Sequence, residues 1–116
     1  MIGLGVDAVD VARFDALLQR QPRMRERLFT DRERSVLATP RLAARFAAKE
    51  AVMKALGVGL GGFGWHDVET QRTESGAPEL VLRGQAALLA GEKGITRWMV
   101  SLTHTDTTAI AVVTAL

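Results

Sequence analysis

Arg45-Phe-Ala-Ala-Lys-Glu-Ala-Val-Met-Lys-Ala-Leu-Gly57 reads as one helix with a marked stop. Its alanines, Val52, Met53 and Leu56 favour helix or fill a buried side. Gly57 is placed to end it as a left-handed C′ glycine. Phe46, Glu50 and Lys54 follow one another at four-residue steps and share a stripe. Arg45 and Lys49 form a second stripe about 100° round the axis. One carboxylate and three cations therefore crowd into a few turns, next to the glycine-rich run Gly57-Val-Gly-Leu-Gly-Gly-Phe-Gly64. A carboxylate suits a metal, cations suit phosphates, and bare backbone permits close approach. Against this stands an ordinary Glu50–Lys54 i,i+4 pair, which is worth only about 0.3–0.5 kcal/mol.

Outward from this helix the chain is short, at 116 residues, and 47% hydrophobic with 24% charged residues. Such a length and composition predict a single globular domain over residues 1–116. No apolar run approaches the 18 residues of a membrane span. Met1-Ile-Gly-Leu-Gly-Val-Asp7 lacks the basic start of a secretory signal. Cysteine is absent, which excludes a disulfide framework and a thiolate nucleophile. A cytoplasmic protein is the expectation.

The net charge is only +2, but its distribution is uneven: Arg20, Arg23, Arg25, Arg27, Arg32 and Arg34 lie within fifteen residues. The cluster can face an acidic partner or simply solvent. A nucleic-acid module is disfavoured: tyrosine is absent, and Trp65 and Trp98 sit in apolar contexts.

Towards the N-terminus, Ile2, Leu4 and Val6 alternate with Gly3 and Gly5 and predict a strand over 2–7. The glycines predict close approach by a neighbour or a ligand. Asp7 stands at the strand's end, where it begins a turn or points a carboxylate into a cleft. Asp10 is the expected N-cap of a helix over 11–20, with Val11, Phe14, Leu17 and Leu18 inward. A short helix near 23–28 follows, then one capped by Thr30 or Asp31 and running through Leu37. Thr39-Pro40 marks a break before a central helix over 41–56.

Towards the C-terminus the period changes. Trp65 to Arg72 and Glu79 to Leu82 read as strands around the turn Glu74-Ser-Gly-Ala-Pro78. Residues 84–92 read as a helix ended by Gly94. Trp98 to His104 and Thr108 to Thr114 read as a hairpin. The expected class is α+β: a mostly antiparallel sheet packed against a long central helix. Ile110, Val112 and Val113 suit a core or an interface equally. The histidines, His66 and His104, are 38 positions apart and form no zinc pattern.

Three separated signals stand together: Gly-Leu-Gly-Val-Asp7 with Arg13, Arg45-Phe-Ala-Ala-Lys-Glu50 with Lys54 and Gly57, and Ser101-Leu-Thr-His104. In order and spacing they resemble the small holo-acyl-carrier-protein synthases, the short class of 4′-phosphopantetheinyl transferases. The resemblance covers the whole chain. It implies transfer of the phosphopantetheine arm of coenzyme A to a serine of an apo acyl carrier protein, with release of adenosine 3′,5′-bisphosphate. It implies Mg²⁺ on Asp7 and Glu50, consistent with the one or two carboxylates that this ion takes. Lys54 is then the candidate for the transferred phosphate or the leaving group, and Glu50 the candidate base. Arg45, Lys49 and His104 are candidates for other phosphates of coenzyme A, and Gly57 and Gly59 for backbone contacts to them. The resemblance also implies a homotrimer with the coenzyme between subunits, and a carrier-protein surface at Arg13, Arg20, Arg23 and Arg27. His66 has no such role and reads as structural or exposed.

Overall fold

Gly3 and Gly5 decide how the chain is layered. In the computed structural model, which describes residues 1–35 and 38–116, both face the long helix α4 (Thr39–Leu56) from strand β1 (Gly3–Asp10). A Cβ on Gly5 would lie 1.8 Å from the Ala51 carbonyl oxygen, and one on Gly3 2.2 Å from that of Ala55. No side chain fits at such distances, so the close approach belongs to a neighbouring helix. Helix α4 meets the strand at Ala51 and Ala55. Small residues on both elements let the backbones come together.

Strand β1 is longer than its alternation predicts. It pairs antiparallel with β5 (Thr108–Ala115) from Gly3↔Ala115 to Asp10↔Thr108. Asp7, opposite Ala111, is therefore inside the strand rather than at its end. Strand β4 (Trp98–His104) pairs with the other edge of β5, giving the order β1-β5-β4. Ala109, Ala111, Val113 and Ala115 of β5 point to α4 and are fully buried. Val113 is thus core, whereas Val112 points away and is exposed.

The other predicted elements fall close to their places. Asp10 caps α1 (Val11–Arg20), accepting from the Arg13 N–H at 2.9 Å. Helix α2 spans Met24–Leu28 and helix α3 Asp31–Arg34. Thr30 caps α3 in a reciprocal box with Glu33. The expected continuation to Leu37 falls partly outside the described residues. Pro40 does not break the chain but lies in the first turn of α4, where a missing N–H leaves no bond unmade. Gly57, at φ 72°, closes the helix as predicted. Trp65–Asp67 is a single 3₁₀ turn, not strand. β2 begins at Val68 and runs to Arg72, paired with β3 (Pro78–Leu82) in a separate two-stranded sheet. Helix α5 covers Gly84–Glu92.

A second cluster lies between α1, α2 and the start of α4, with Phe14, Phe29 and Leu42 buried in it. Phe14 stacks on Phe46 at 5.1 Å between centroids, and Phe46 meets Trp65 at 5.3 Å.

Lys49 ties this helical layer to β2 and corrects its expected role as a phosphate ligand. It is 1% exposed. Its ammonium donates to Glu33 Oε1 at 2.8 Å, to the Trp65 carbonyl at 2.8 Å and to the Val68 carbonyl. All three N–H donors are used, so none remains for a phosphate. Burial pulls the ammonium below the ordinary lysine range, and Glu33 opposes that shift. Glu33 accepts in addition from the N–H groups of Thr30 and Thr70, at 3.2 and 3.1 Å. Lys49→Met leaves this buried carboxylate without its cation and is expected to cost about 3–5 kcal/mol in urea unfolding. A loss under about 1 kcal/mol would contradict the assignment of Lys49 to the fold.

Candidate active site

Because side chains alternate along β1, Asp7 shares the inward side of Gly3 and Gly5. It comes down on the stretch of α4 that carries Glu50 and Lys54. The Lys54 ammonium donates to Asp7 Oδ1 at 3.0 Å and to the Val6 carbonyl at 2.8 Å. The expected Glu50–Lys54 pair is replaced by this contact across elements. The Asp7 side chain is 12% exposed and that of Lys54 56%, so the pair is closed at the acid and open at the amine. Two of the three N–H donors of Lys54 are used and the third is free to meet a ligand.

Glu50 is half-buried beside Asp7. Desolvation, followed by the Asp7 charge and a hydrogen bond with the Asp7 carboxyl, pushes the Glu50 carboxyl up to about 7, against the pull of Lys54. Two neighbouring carboxyl groups oppose each other's ionisation, and the single Lys54 ammonium offsets this only in part. A divalent cation would supply the remaining positive charge. The donors are hard oxygens and only two in number, which fits Mg²⁺ better than a softer or more fully caged ion. Among the described residues no set of three His, Cys, Asp or Glu converges, so the other ligands of such an ion would be water and substrate oxygens.

Arg45 and His104 meet at a second place. They line a cavity of about 270 Å³ together with Arg41, Arg72 and residues 102–103 at the end of β4. Arg45 is 4% exposed. Burial, then the charges of Arg72 and Arg41, pull its guanidinium below the usual arginine range, opposed by Glu33. Three arginines and a histidine around one cavity form an anion site. Arg41 and Arg72 escaped the sequence reading. Arg41 stands one turn before Arg45 on the stripe that continues to Lys49, so helical spacing alone could have found it. Arg72 comes from β2 and carries no local signal.

The remaining candidates lie apart. The Gly57 N–H donates to the Lys54 carbonyl at 3.1 Å and closes the helix, so it is not free for a phosphate. Gly59 is exposed, with open space where a Cβ would stand. Arg13, Arg20, Arg23 and Arg27 are exposed on α1 and around α2. None of the four forms an ion pair among the described residues. His66 is exposed and its Nε2 lies 2.7 Å from the Glu26 carbonyl, joining the 3₁₀ turn to α2.

Comparison with known proteins shows the family to which the chain belongs. Residues 3–113 match the profile of the 4′-phosphopantetheinyl transferase superfamily, and the chain belongs to that family. Within it, the chain is 50% identical to a holo-[acyl-carrier-protein] synthase of Beutenbergia cavernae over 115 residues, covering 99% of this chain and 97% of the relative. A second holo-[acyl-carrier-protein] synthase, from Frankia alni, is also 50% identical over 115 residues, with coverage of 99% and 97%. Among solved structures, the holo-[acyl-carrier-protein] synthase of Neisseria meningitidis superposes with a TM-score of 0.90 at 30% identity, covering 100% of this chain and 99% of that one. The Helicobacter pylori enzyme in complex with coenzyme A gives 0.87 at 28% identity, over 97% and 99%. The α+β class and the family resemblance both hold.

The raised Glu50 carboxyl makes a prediction for the metal-free protein. Between its unfolded value near 4.5 and its folded value near 7, the folded state holds more protons than the unfolded one. The contribution of Glu50 to stability therefore falls as pH rises through that interval. In EDTA, the difference in Tm between Glu50→Gln and wild type should grow in favour of the variant from pH 5 to pH 8. A difference independent of pH would contradict the raised Glu50 carboxyl.

Proposed function

We propose that this chain transfers the 4′-phosphopantetheine arm of coenzyme A to a serine hydroxyl of an apo acyl carrier protein. The observation that carries this reading is the convergence of Asp7, Glu50 and Lys54 at the crossing of β1 and α4, with Lys54 3.0 Å from Asp7. In the reaction the serine oxygen attacks the phosphorus that bears the pantetheine arm. The bond from that phosphorus to the bridging oxygen breaks, and adenosine 3′,5′-bisphosphate leaves. Bound by Asp7 and Glu50, Mg²⁺ would neutralise charge on the pyrophosphate. Lys54 turns its free N–H and its charge to the same phosphates. Glu50 is the candidate to take the serine proton, directly or through a water molecule. The Arg45–His104 cavity, with Arg41 and Arg72, holds a further phosphate of coenzyme A.

The same reading makes residues 1–116 one transferase domain, working in the cytoplasm as a homotrimer with coenzyme A in a cleft between subunits. Two features support the trimer. Arg45 and Glu50 are five residues apart on α4, hence about 140° apart round its axis, so the two halves of the site look in different directions. The face of the β1-β5-β4 sheet turned from α4 also carries Leu4 (57% exposed), Val6 (54%), Met99 (52%) and Val112 (39%). These apolar residues are contiguous by register, which suits a subunit interface. Arg13, Arg20, Arg23 and Arg27 form the carrier-protein surface, where their unpaired charges steer an acidic partner.

The direct test is the intact mass of an apo acyl carrier protein after incubation with this protein, coenzyme A and Mg²⁺. A gain of one phosphopantetheine that EDTA prevents is expected, and Asp7→Ala or Glu50→Ala should lower the rate by at least about 100-fold. No gain with several carriers, or wild-type rates in either variant, would overturn the reading. Arg20→Glu should raise the KM for the carrier protein about tenfold and leave that for coenzyme A within about twofold. Equal effects on both would remove α1 from the docking surface.

A further inference from the structure

Arg45 has a second side. Away from His104, the same guanidinium borders another cavity, of about 280 Å³, between α4, β2 and the end of α3. Arg32, Arg41, Arg72 and Thr70 line it with Arg45, and no carboxylate does. Among the described residues, two buried side-chain polar atoms lack a hydrogen-bond partner: Arg45 Nε and Thr70 Oγ1. Both residues belong to this cavity, and both are more than nine-tenths buried, at 4% and 3% exposure. A buried donor without an acceptor costs about 1–3 kcal/mol, so two at one cavity point to a missing ligand. Water would satisfy the hydrogen bonds but not the charge. Arg45 forms no ion pair among the described residues, and its guanidinium is buried beside two further arginines. What completes the cavity is an anion that accepts from a guanidinium N–H and a hydroxyl at once.

We infer that the Thr70 side of Arg45 is a binding site for a tetrahedral phosphate dianion, separate from the compartment at His104. The inference rests on the reading above, in which the His104 side takes a phosphate of coenzyme A. Thr70 donates its hydroxyl, Arg45 its Nε–H, and the exposed Arg32 closes the outer side. The backbone N–H of Thr70 is already held by Glu33 at 3.1 Å, which fixes the strand while leaving the hydroxyl to the ligand. Because Arg45 serves both compartments, an anion here also relieves the repulsion among Arg41, Arg45 and Arg72. It also lowers the positive charge that draws a second anion, so its occupancy should weaken, without excluding, binding of the coenzyme's phosphate arm.

The probe is inorganic phosphate, titrated calorimetrically into the full chain, free and saturated with coenzyme A. Phosphate should bind in both states, and more weakly to the saturated protein. In the coenzyme-saturated protein, where the His104 compartment is filled, Thr70→Val and Arg32→Gln should each weaken phosphate binding about tenfold, as loss of one charge-assisted hydrogen bond does, and His104→Ala should not. Displacement of phosphate by coenzyme A, or binding unchanged in Thr70→Val and Arg32→Gln, overturns the second site. If coenzyme A itself fails to bind, the transferase reading falls, and the titrations of the free protein and its Thr70→Val variant still decide this one.

Discussion

Contact between bare backbone on β1 and the carbonyls of α4 is the constraint on which everything else rests. Gly3 and Gly5 have no Cβ because Ala55 and Ala51 already occupy that space. The approach fixes the height of the strand over the helix and its rotation. Two residues further along β1 that rotation delivers Asp7 to Lys54 and Glu50. The layer that packs the protein is thus also the layer that builds the carboxylate pair. A bulkier residue at either glycine would move the acid away from its partners before it disturbed the distant core.

Helix α4 carries chemistry on several sides because it is buried on most of them. Its apolar residues meet the sheet. Lys49 meets Glu33 and two carbonyls, Arg45 faces a basic cleft, and Glu50 and Lys54 reach the rim. Each buried charge is handled differently. Lys49 is paired and satisfied, which makes it part of the fold. Arg45 has no ion pair among the described residues and is crowded by like charge, which leaves its guanidinium available to an anion. Neighbours of the same charge, four residues apart, therefore have different roles. The difference comes from α3 and β2: Glu33 bonds to Lys49 and, among the described residues, forms no ion pair with Arg45.

Much of this was legible in the sequence. The helix ending at Gly57, the Asp10 cap and the C-terminal hairpin follow from local chemistry, and so does the glycine alternation of β1. The three acidic and basic residues of the site also stand in the stretches that carry the family resemblance. What local pattern did not carry was pairing across elements. Lys54 bonds to Asp7, which is 47 positions distant, rather than to the carboxylate one turn away. Lys49 looked free because its partner Glu33 lies in a four-residue helix with no apolar period of its own. Pro40 read as a break, although the first turn of a helix tolerates it. Arg72 and Thr70 reach Arg45 only through the β2–β3 hairpin, so nothing in their own neighbourhood announces them.

Coenzyme A binding in the presence of Mg²⁺ by a Gly3→Ala variant tests the central claim most directly. The claim is that close approach of β1 to α4 builds the site. Calorimetry would be run at a temperature where circular dichroism shows wild-type helix content. If the claim is right, the variant keeps its helices and loses Mg²⁺-dependent affinity by tenfold or more, on the order of the 1.4 kcal/mol that a displaced carboxylate removes. Wild-type affinity in a folded Gly3→Ala protein would contradict it, since Asp7 would then reach Glu50 without the contact that is held to place it.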